Sequence, residues 1–447
     1  MMSTATAPAA VDLKRKLGET SYYLDSIENL HKKFSSLSAA LLHTQQPEGF
    51  TFAQAYMDRA KLSAVIAKSI AKGEYTFTPA TLNTIAAGGK MRKVYSFRII
   101  DRIVHGAIYR MIAEDLNRFV SPHVYSYVKG RGKQHAIKAF ADFLRRHRKL
   151  RRRPQDRGLY VLRCDIKSYG ESIPVHVGSA LWGQLASVFA GAYGRPADTQ
   201  ESQLLAELIR PVLKSDEGTF YNRLYGIPDG APISSLLLNL YVAPLDEALS
   251  SVSGGFYARY GDDIIFAHPD IRVFQESAAH FDKVLAGLEL IRNEKKTKQF
   301  FFNGAGRPGG DIKGTTHIEY LGVKLAFDGT AMLKTDKIRD LYKDLTIRAK
   351  ATASAMAGRS VDERGQALCD MLNGVFDPQS MMAHPSAQLM SGIINDRKQL
   401  KQIDYWLARL VLHFTLGDAS VKAFRKVPYQ KIRNEWKLQS LEYARNQ

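Results

Sequence analysis

Residues 256–266 read FYARYGDDIIF, and few backbone paths accommodate that string. Two runs rich in aromatic and β-branched residues meet across Gly261 and Asp262, and a two-residue connection with glycine first suits a type II′ turn. The stretch is expected to form a tight hairpin with Asp262 and Asp263 fixed at its bend. Gly-Asp is also ordinary turn chemistry, so the hairpin alone assigns nothing. A second carboxylate changes its weight: Asp165 ends the apolar run GLYVLRCD, 97 positions before Asp262. If these elements are neighbours in one sheet, Asp165 and Asp262 converge, and neither motif offers an obvious Lys or Arg to neutralise them. Carboxylates that close repel, and a divalent cation is the usual remedy.

Charge points the same way. The chain of 447 residues carries 63 Lys and Arg against 44 Asp and Glu, a formal net charge of +19. Such an excess implies a polyanionic partner, nucleic acid first. An anionic membrane is disfavoured because no run of about 18 uncharged apolar residues exists to span it. The N-terminal MMSTATAPAAVDLKRKL lacks the apolar core of a secretory signal. Cys164 and Cys369 are the only cysteines, too few for a disulfide framework or a multi-cysteine zinc site. A reducing, cytoplasmic setting is expected, with any metal held by oxygen ligands, Mg²⁺ or alternatively Mn²⁺.

The hydropathy pattern sets the order of elements. Residues 21 to about 72 have helical spacing with a stop at Gly73, followed by short extended segments around Gly88 and Gly89 and a helix near Asp101. The run RRHRKLRRRPQDRG (145–158) is either a solvated helix end or a backbone-phosphate contact. Helices are expected over 176–213 and 274–290. YNRLYGIPDGAPISSLLLNLYVAPLDEAL reads as a Pro/Gly loop entering one long apolar helix, IEYLGVKLAF as one short strand, and the chain beyond about 333 as helical. No internal repeat or long heptad run is present.

In order and approximate spacing, LRCDIKSYGESI, YGIPDGAPISSLLLNLYVAPLD, RYGDDIIF, LELIRNEKKTKQF and IEYLGVKLAF resemble the palm motifs of reverse transcriptases. GGKMRKVYSFRIIDRIVHGAIYRMI and SPHVYSYVKGRGKQHAIKAF resemble the fingers motifs of the bacterial lineage that includes group II intron and retron enzymes. The resemblance implies an α+β right-hand polymerase: an N-terminal helical extension (1–75), fingers (76–160), a palm with an antiparallel sheet (161–332, with a helical insertion at about 176–215) and a helical thumb (333–447). It implies an RNA-directed DNA polymerase that uses two Mg²⁺ ions, an RNA template, deoxynucleoside triphosphates and a DNA product. Asp165, Asp262 and Asp263 would be the catalytic metal ligands, with the Ile166 carbonyl added. Lys90, Arg92, Tyr169, Gly170, Pro228, Asp229, Gly230 and Lys296 would meet the nucleotide, with Gly226 shaping the loop. Lys129, Arg131, Lys133, Arg151, Arg152, Arg153, Lys422, Arg425 and Lys426 would meet nucleic acid, with Lys401 and Arg409 nearby in the thumb.

Two departures bear on specificity. Five positions after Asp165, where the family carries an aromatic that bars a ribose 2′-hydroxyl, stands Gly170, with Tyr169 one place earlier. Discrimination against ribonucleotides is therefore expected to be weakened, or to fall to Tyr169. Asp229 replaces a common Gln. GDD also marks viral RNA-dependent RNA polymerases, but these carry a second Asp at the Gly170 position and lack the Pro-x-Gly loop. A retired RNA-binding scaffold is disfavoured because all three acids are present. No VTG or NAxxH box of the retron kind is found, and FRKVPYQKIRNEWKLQSLEYARN resembles a C-terminal signature of defence-linked bacterial enzymes. A free-standing antiphage enzyme of the so-called unknown groups, working with a noncoding RNA, is the resulting expectation. A protein-primed or untemplated polymerase of abortive-infection type is the alternative, and oligomerisation is compatible with either.

Overall fold

The computed structural model describes residues 12–37, 42–43, 49–87, 90–150 and 158–442. The first eleven residues, Gly88, Gly89 and the basic stretch holding Arg151, Arg152 and Arg153 lie outside the described residues.

The strands are β1 (Thr81–Ala87), β2 (Lys90–Ser96), β3 (Leu159–Asp165), β4 (Leu213–Lys214), β5 (Phe220–Tyr221), β6 (Phe256–Tyr260), β7 (Asp263–His268), β8 (Lys298–Phe302), β9 (Gly314–Thr315), β10 (His317–Tyr320), β11 (Val323–Ala326) and β12 (Ala331–Leu333). The central sheet has the order β6-β7-β3-β8-β9, antiparallel except for the parallel β8–β9 pair. The class is α+β, as expected, with helices before, within and after the sheet.

This sheet is buried on both faces. In β7, Ile264 and Phe266 enter one core, while Ile265 and Ala267 enter the other. In β3, Leu162 and Cys164 join the first core, Leu159 and Val161 the second. Side chains alternate across a strand, so a sheet covered on both sides needs apolar residues at nearly every position, which is why GLYVLRCD shows no alternation. Each fully buried Leu, Ile or Val adds about 1.5–3 kcal/mol. The first core holds the N-terminal helices, such as Arg59–Ala71, against Ile99–Asn117. The second packs the three-stranded sheet β10-β11-β12 and the helices Thr335–Ala355, Val361–Phe376 and Arg397–Leu416.

Local chemistry sets the element ends. Thr51–Gln54, Asp198–Glu201 and Ser360–Glu363 each form a capping box at a helix start, satisfying N–H groups that have no intrahelical partner. Two expectations need correction. The long apolar helix after the Pro/Gly loop is two helices, Ser234–Tyr241 and Ala243–Ser250, because Pro244 lacks an N–H and its ring crowds the carbonyl of residue 240. IEYLGVKLAF is a hairpin of β10 and β11, with Leu321 and Gly322 at φ 47° and 89° in its turn. Positive φ at both loop residues is the type I′ signature. No helix among the described residues is long and apolar enough to cross a membrane.

Candidate active site

The 256–268 segment folds as the expected hairpin. Tyr260 pairs with Asp263, leaving Gly261 and Asp262 as the connection. Gly261 has φ 65°, and Asp262 is absent from the positive-φ residues, as type II′ geometry requires. Strand β7 then lies beside β3 with Asp263 opposite Asp165. Directly opposed antiparallel residues have Cα atoms about 4.5–5.5 Å apart, so the two carboxylates share one end of the sheet, with Asp262 on the adjoining bend.

The trio is not without positive charge, which corrects the sequence-based expectation. Arg163, two residues before Asp165 and so on the same face of β3, approaches Asp263 through Nε and Nη2, each at 3.5 Å. Lys296 donates to Asp165. Asp263 still has its pKa raised: burial is the main cause, Asp165 and Asp262 add to it, and Arg163 opposes it. The bond to Asp165 raises the Lys296 pKa. Among the described residues no three His, Cys, Asp or Glu side chains are already gathered in ligand geometry. In this arrangement Asp165 is turned to Lys296 and Asp263 to Arg163. The donors nevertheless suit a hard divalent cation, because they are oxygen atoms only. Ile166 follows in a β-bridge with Arg292, while the Asp165 carbonyl accepts the Asn293 N–H at 2.8 Å.

Beneath the bend lies a polar network that sequence reasoning missed. Arg259 is wholly buried and grips Asp246 by two bonds of 2.7 Å, from Nε and Nη2. Its Nη1 also donates to the Gly261 carbonyl at 3.2 Å, and the Gly261 N–H donates to Ser126 Oγ at 2.8 Å. Asn239 links the two arms, accepting from Arg259 and donating to the Ser126 carbonyl. Tyr257 adds a hydroxyl bond to Asp246 at 2.6 Å. Burial works against the guanidinium charge, but Asp246 outweighs it and holds Arg259 protonated. Both backbone polar groups of the glycine that sets the bend are thus fixed by buried side chains. The available signal was a lone Arg in an otherwise apolar strand, since a buried charge requires a partner.

The nucleotide-binding expectations divide. Lys90 and Arg92 lie on β2, opposite Ala87 and Ile85, and their side chains are outside the described set. The loop that follows β5 docks on this strand: the Tyr95 N–H donates to the Asp229 carbonyl at 2.9 Å. Gly226 and Gly230 each have φ 97°, a region that favours glycine. Pro228 is buried, and Asp229 is exposed beside it. The Gly170 carbonyl accepts the Ile227 N–H at 3.0 Å, which joins the same loop to the short helix Tyr169–Ser172 that follows the Asp165 strand. A Cβ at Gly170 would meet Ile227 and Leu238 only at ordinary contact distances of 3.8–3.9 Å.

Tyr169 is a correction. Its ring is buried and its hydroxyl donates to the Leu238 carbonyl, so it serves the core rather than the cleft. Ser168, at φ 47°, turns the chain just before it.

Several cations expected to meet nucleic acid also have internal roles. Arg131 Nη1 donates to the Ser121 and Val124 carbonyls at 2.7 and 3.0 Å, closing the loop before helix Lys133–Leu150. Arg409 bonds the Ala419 carbonyl, and Lys401 lies 3.5 Å from Glu442. Lys129, Lys422, Arg425 and Lys426 are exposed. Lys133 reaches the Tyr260 ring, 5.6 Å from its centroid, beside the acidic bend.

The model of the reverse transcriptase (RNA-dependent DNA polymerase) family matches residues 86–325, more than half of the chain. The chain belongs to the reverse transcriptase family. The matched span includes all three acids, the docked loop and the central sheet, so the fold is that of a right-hand polymerase. No curated protein matches the chain significantly. Among solved structures, this reverse transcriptase is similar to apo telomerase from Candida tropicalis truncated from its C-terminal domain, with 13% identity and a TM-score of 0.44 over 64% of this chain and 61% of that one. It is also similar to Candida albicans telomerase in complex with a fragment of telomeric RNA, with 13% identity and a TM-score of 0.46 over 82% and 65%. The chain spans less than two thirds of either telomerase chain.

Proposed function

We propose that the chain is an RNA-directed DNA polymerase that copies an RNA template into DNA from deoxynucleoside triphosphates. The observation that carries this reading is the register of Asp165 opposite Asp263 with Asp262 on the bend between strands, in a chain of this family. Asp165, Asp262 and Asp263 would hold Mg²⁺. When bound, the metal lowers the pKa of an attacking 3′-hydroxyl and neutralises the departing pyrophosphate. The remaining work belongs to the chain's own groups. Arg259 and Ser126 hold the bend in place. Lys296, beside Asp165, supplies a cation near the leaving phosphates, and Arg163 offsets the charge of Asp263. The loop at 226–230, held on β2, shapes the floor under the nascent base pair. With Tyr169 withdrawn and Gly170 carrying no side chain, selection against ribonucleotides is weak. The proposed placement in the group II intron and retron lineage, and in antiphage defence with a noncoding RNA, is supported by the ordered sequence motifs alone.

The test is to purify the protein with its bound nucleic acid, supply labelled deoxynucleotides and Mg²⁺, and sequence template and product. Asp165→Asn and Asp262→Asn should each lower synthesis by on the order of a hundredfold or more while RNA binding persists. Unchanged synthesis in the double variant would refute the assignment. RNA binding without polymer under every metal and nucleotide condition would replace it with the scaffold reading.

A further inference from the structure

Among the described residues five other than glycine have positive φ, and Tyr127, at 58°, is the only aromatic one. A bulky side chain seldom takes that region, and such backbone strain persists only where the surroundings fix it. Here they do. The segment before Tyr127 runs along the outer edge of β6 and parallel to it: Val124 bridges Arg259, and the Tyr125 N–H donates to the Arg259 carbonyl at 2.9 Å. Ser126 is level with Gly261 and accepts its N–H at 2.8 Å, while the Ser126 carbonyl accepts from Asn239. Arg131 closes the loop from its far side by donating to the Ser121 and Val124 carbonyls. Tyr127 is therefore level with Asp262, each one residue beyond the bond that joins the two segments.

The strain does not serve the core. Tyr127 is 55% exposed, whereas Ser126 beside it is buried. A ring so exposed gains little from burial, so packing does not account for a conformation that glycine adopts freely. What the arrangement achieves is placement at the acids. Burial raises the pKa of the Tyr169 hydroxyl, Arg259 opposes it, and Asp246, Asp262 and Tyr127 add to it, so Tyr127 and Asp262 lie within electrostatic reach of one buried hydroxyl.

The two flanks of the trio differ in chemistry. In the sheet order β6-β7-β3-β8, Lys296 reaches Asp165 from the β8 side, and the Tyr127 loop borders the bend from the β6 side. An in-line displacement keeps the attacking hydroxyl and the leaving pyrophosphate on opposite sides of the phosphorus. A cation suits the leaving phosphates, and a neutral aromatic ring suits the sugar and base edges of the duplex end that carries the hydroxyl. We propose that Tyr127 is a specificity-determining residue, which packs against the terminal base pair of the primer–template duplex and makes insertion depend on that pair being correctly formed. The occupant rests on the polymerase reading above.

The test measures extension by the full chain from primers whose 3′-terminal pair on an RNA template is matched or mismatched. Tyr127→Ala should lower the matched rate, and the preference for matched over mismatched ends, by about tenfold each. The KM for the deoxynucleotide should not change, because the triphosphate is met on the other flank. Tyr127→Phe keeps the ring and should behave as the native protein. Tyr127→Gly separates this role from a structural one: glycine relieves the positive φ, so the melting temperature should not fall, yet discrimination should drop as in the alanine variant. Native discrimination in both the alanine and glycine variants overturns the proposal, as does a loss in the alanine variant that accompanies a lowered melting temperature and is absent from the glycine variant. A primer ending in 4-thiothymidine gives a second readout, with a photo-crosslink expected in the tryptic peptide Phe119–Lys129. A crosslink there without extension would leave the contact standing and remove the polymerase reading, whereas extension with no crosslink there and unaltered discrimination does the reverse.

Discussion

Asp246→Asn separates two jobs that the buried network performs at once. Arg259 has no exposed surface, so the variant leaves its charge buried with a neutral partner in place of a carboxylate gripped at two points. Removing one member of such a pair costs about 3–5 kcal/mol, a large share of the roughly 5–15 kcal/mol that holds a typical domain folded. Denaturant unfolding should show that loss directly. The double variant Asp246→Leu/Arg259→Met removes both charges, and its stability should return to within about 2 kcal/mol of the native protein, because apolar pairs often replace buried ion pairs at little cost. Synthesis should not return with it. The Gly261 carbonyl has lost the donor that fixes the bend, and a displacement near 1 Å at reacting groups costs on the order of a hundredfold in rate. Arg259 is in these terms a positioning residue, read by kcat falling while template affinity stays constant. Full recovery of both stability and kcat in the double variant would refute the reasoning, as would a loss below about 1 kcal/mol for Asp246→Asn.

His105 gives a pH-dependent prediction: it is packed between the rings of Phe77 and Phe97, neither ring nitrogen has a partner, and burial lowers its pKa to about 3. Since the unfolded chain takes up that proton near pH 6.5, the stability tied to the neutral ring is complete above that value and is lost as pH falls towards 3. His105→Leu should remove about 2 kcal/mol of the native protein's loss between pH 7 and pH 5, and parallel unfolding curves at both pH values for the two proteins would rule this out. Gly170→Phe should raise the ratio of deoxynucleotide to ribonucleotide incorporation by about tenfold or more, whereas Tyr169→Phe should leave that ratio alone and cost about 1 kcal/mol of stability through the lost bond to Leu238. Complete rejection of ribonucleotides by the native enzyme would sink the Gly170 reading.

The hairpin and strand β3 were legible because turn chemistry is local and their burial on two faces leaves a continuous apolar signature. Proximity of Asp165 to the bend was legible only as a condition, since strand pairing is non-local. The charge balance of the trio was misread because Arg163 was counted along the chain rather than by strand face. With a side-chain period of two, it lies on the same face as Asp165, one pair removed from Asp263. Pro244 carried its helix break openly, and Leu321-Gly322 hid its turn because a branched residue seldom takes positive φ. Tyr169 was placed by position within a motif, while its burial depended on Leu238, contributed by a helix far along the chain. Arg131 and Arg409 illustrate the same limit: their internal carbonyl partners are fixed by tertiary structure, and composition shows only that the charges exist.

The central sheet belongs to neither half of the molecule. Ile264 and Phe266 on one side and Ile265 and Ala267 on the other commit adjacent residues of a single strand to separate interiors. An excised 86–325 segment, though it holds Asp165, Asp262 and Asp263, would bare both the surface under the N-terminal helices and the face that the C-terminal helices cover. Shortening the chain to its recognisable part would thus strip two walls from the platform under the acidic trio, and a minimal engineered version must keep the helices before residue 86 and those beyond residue 333 or rebuild both surfaces with polar side chains.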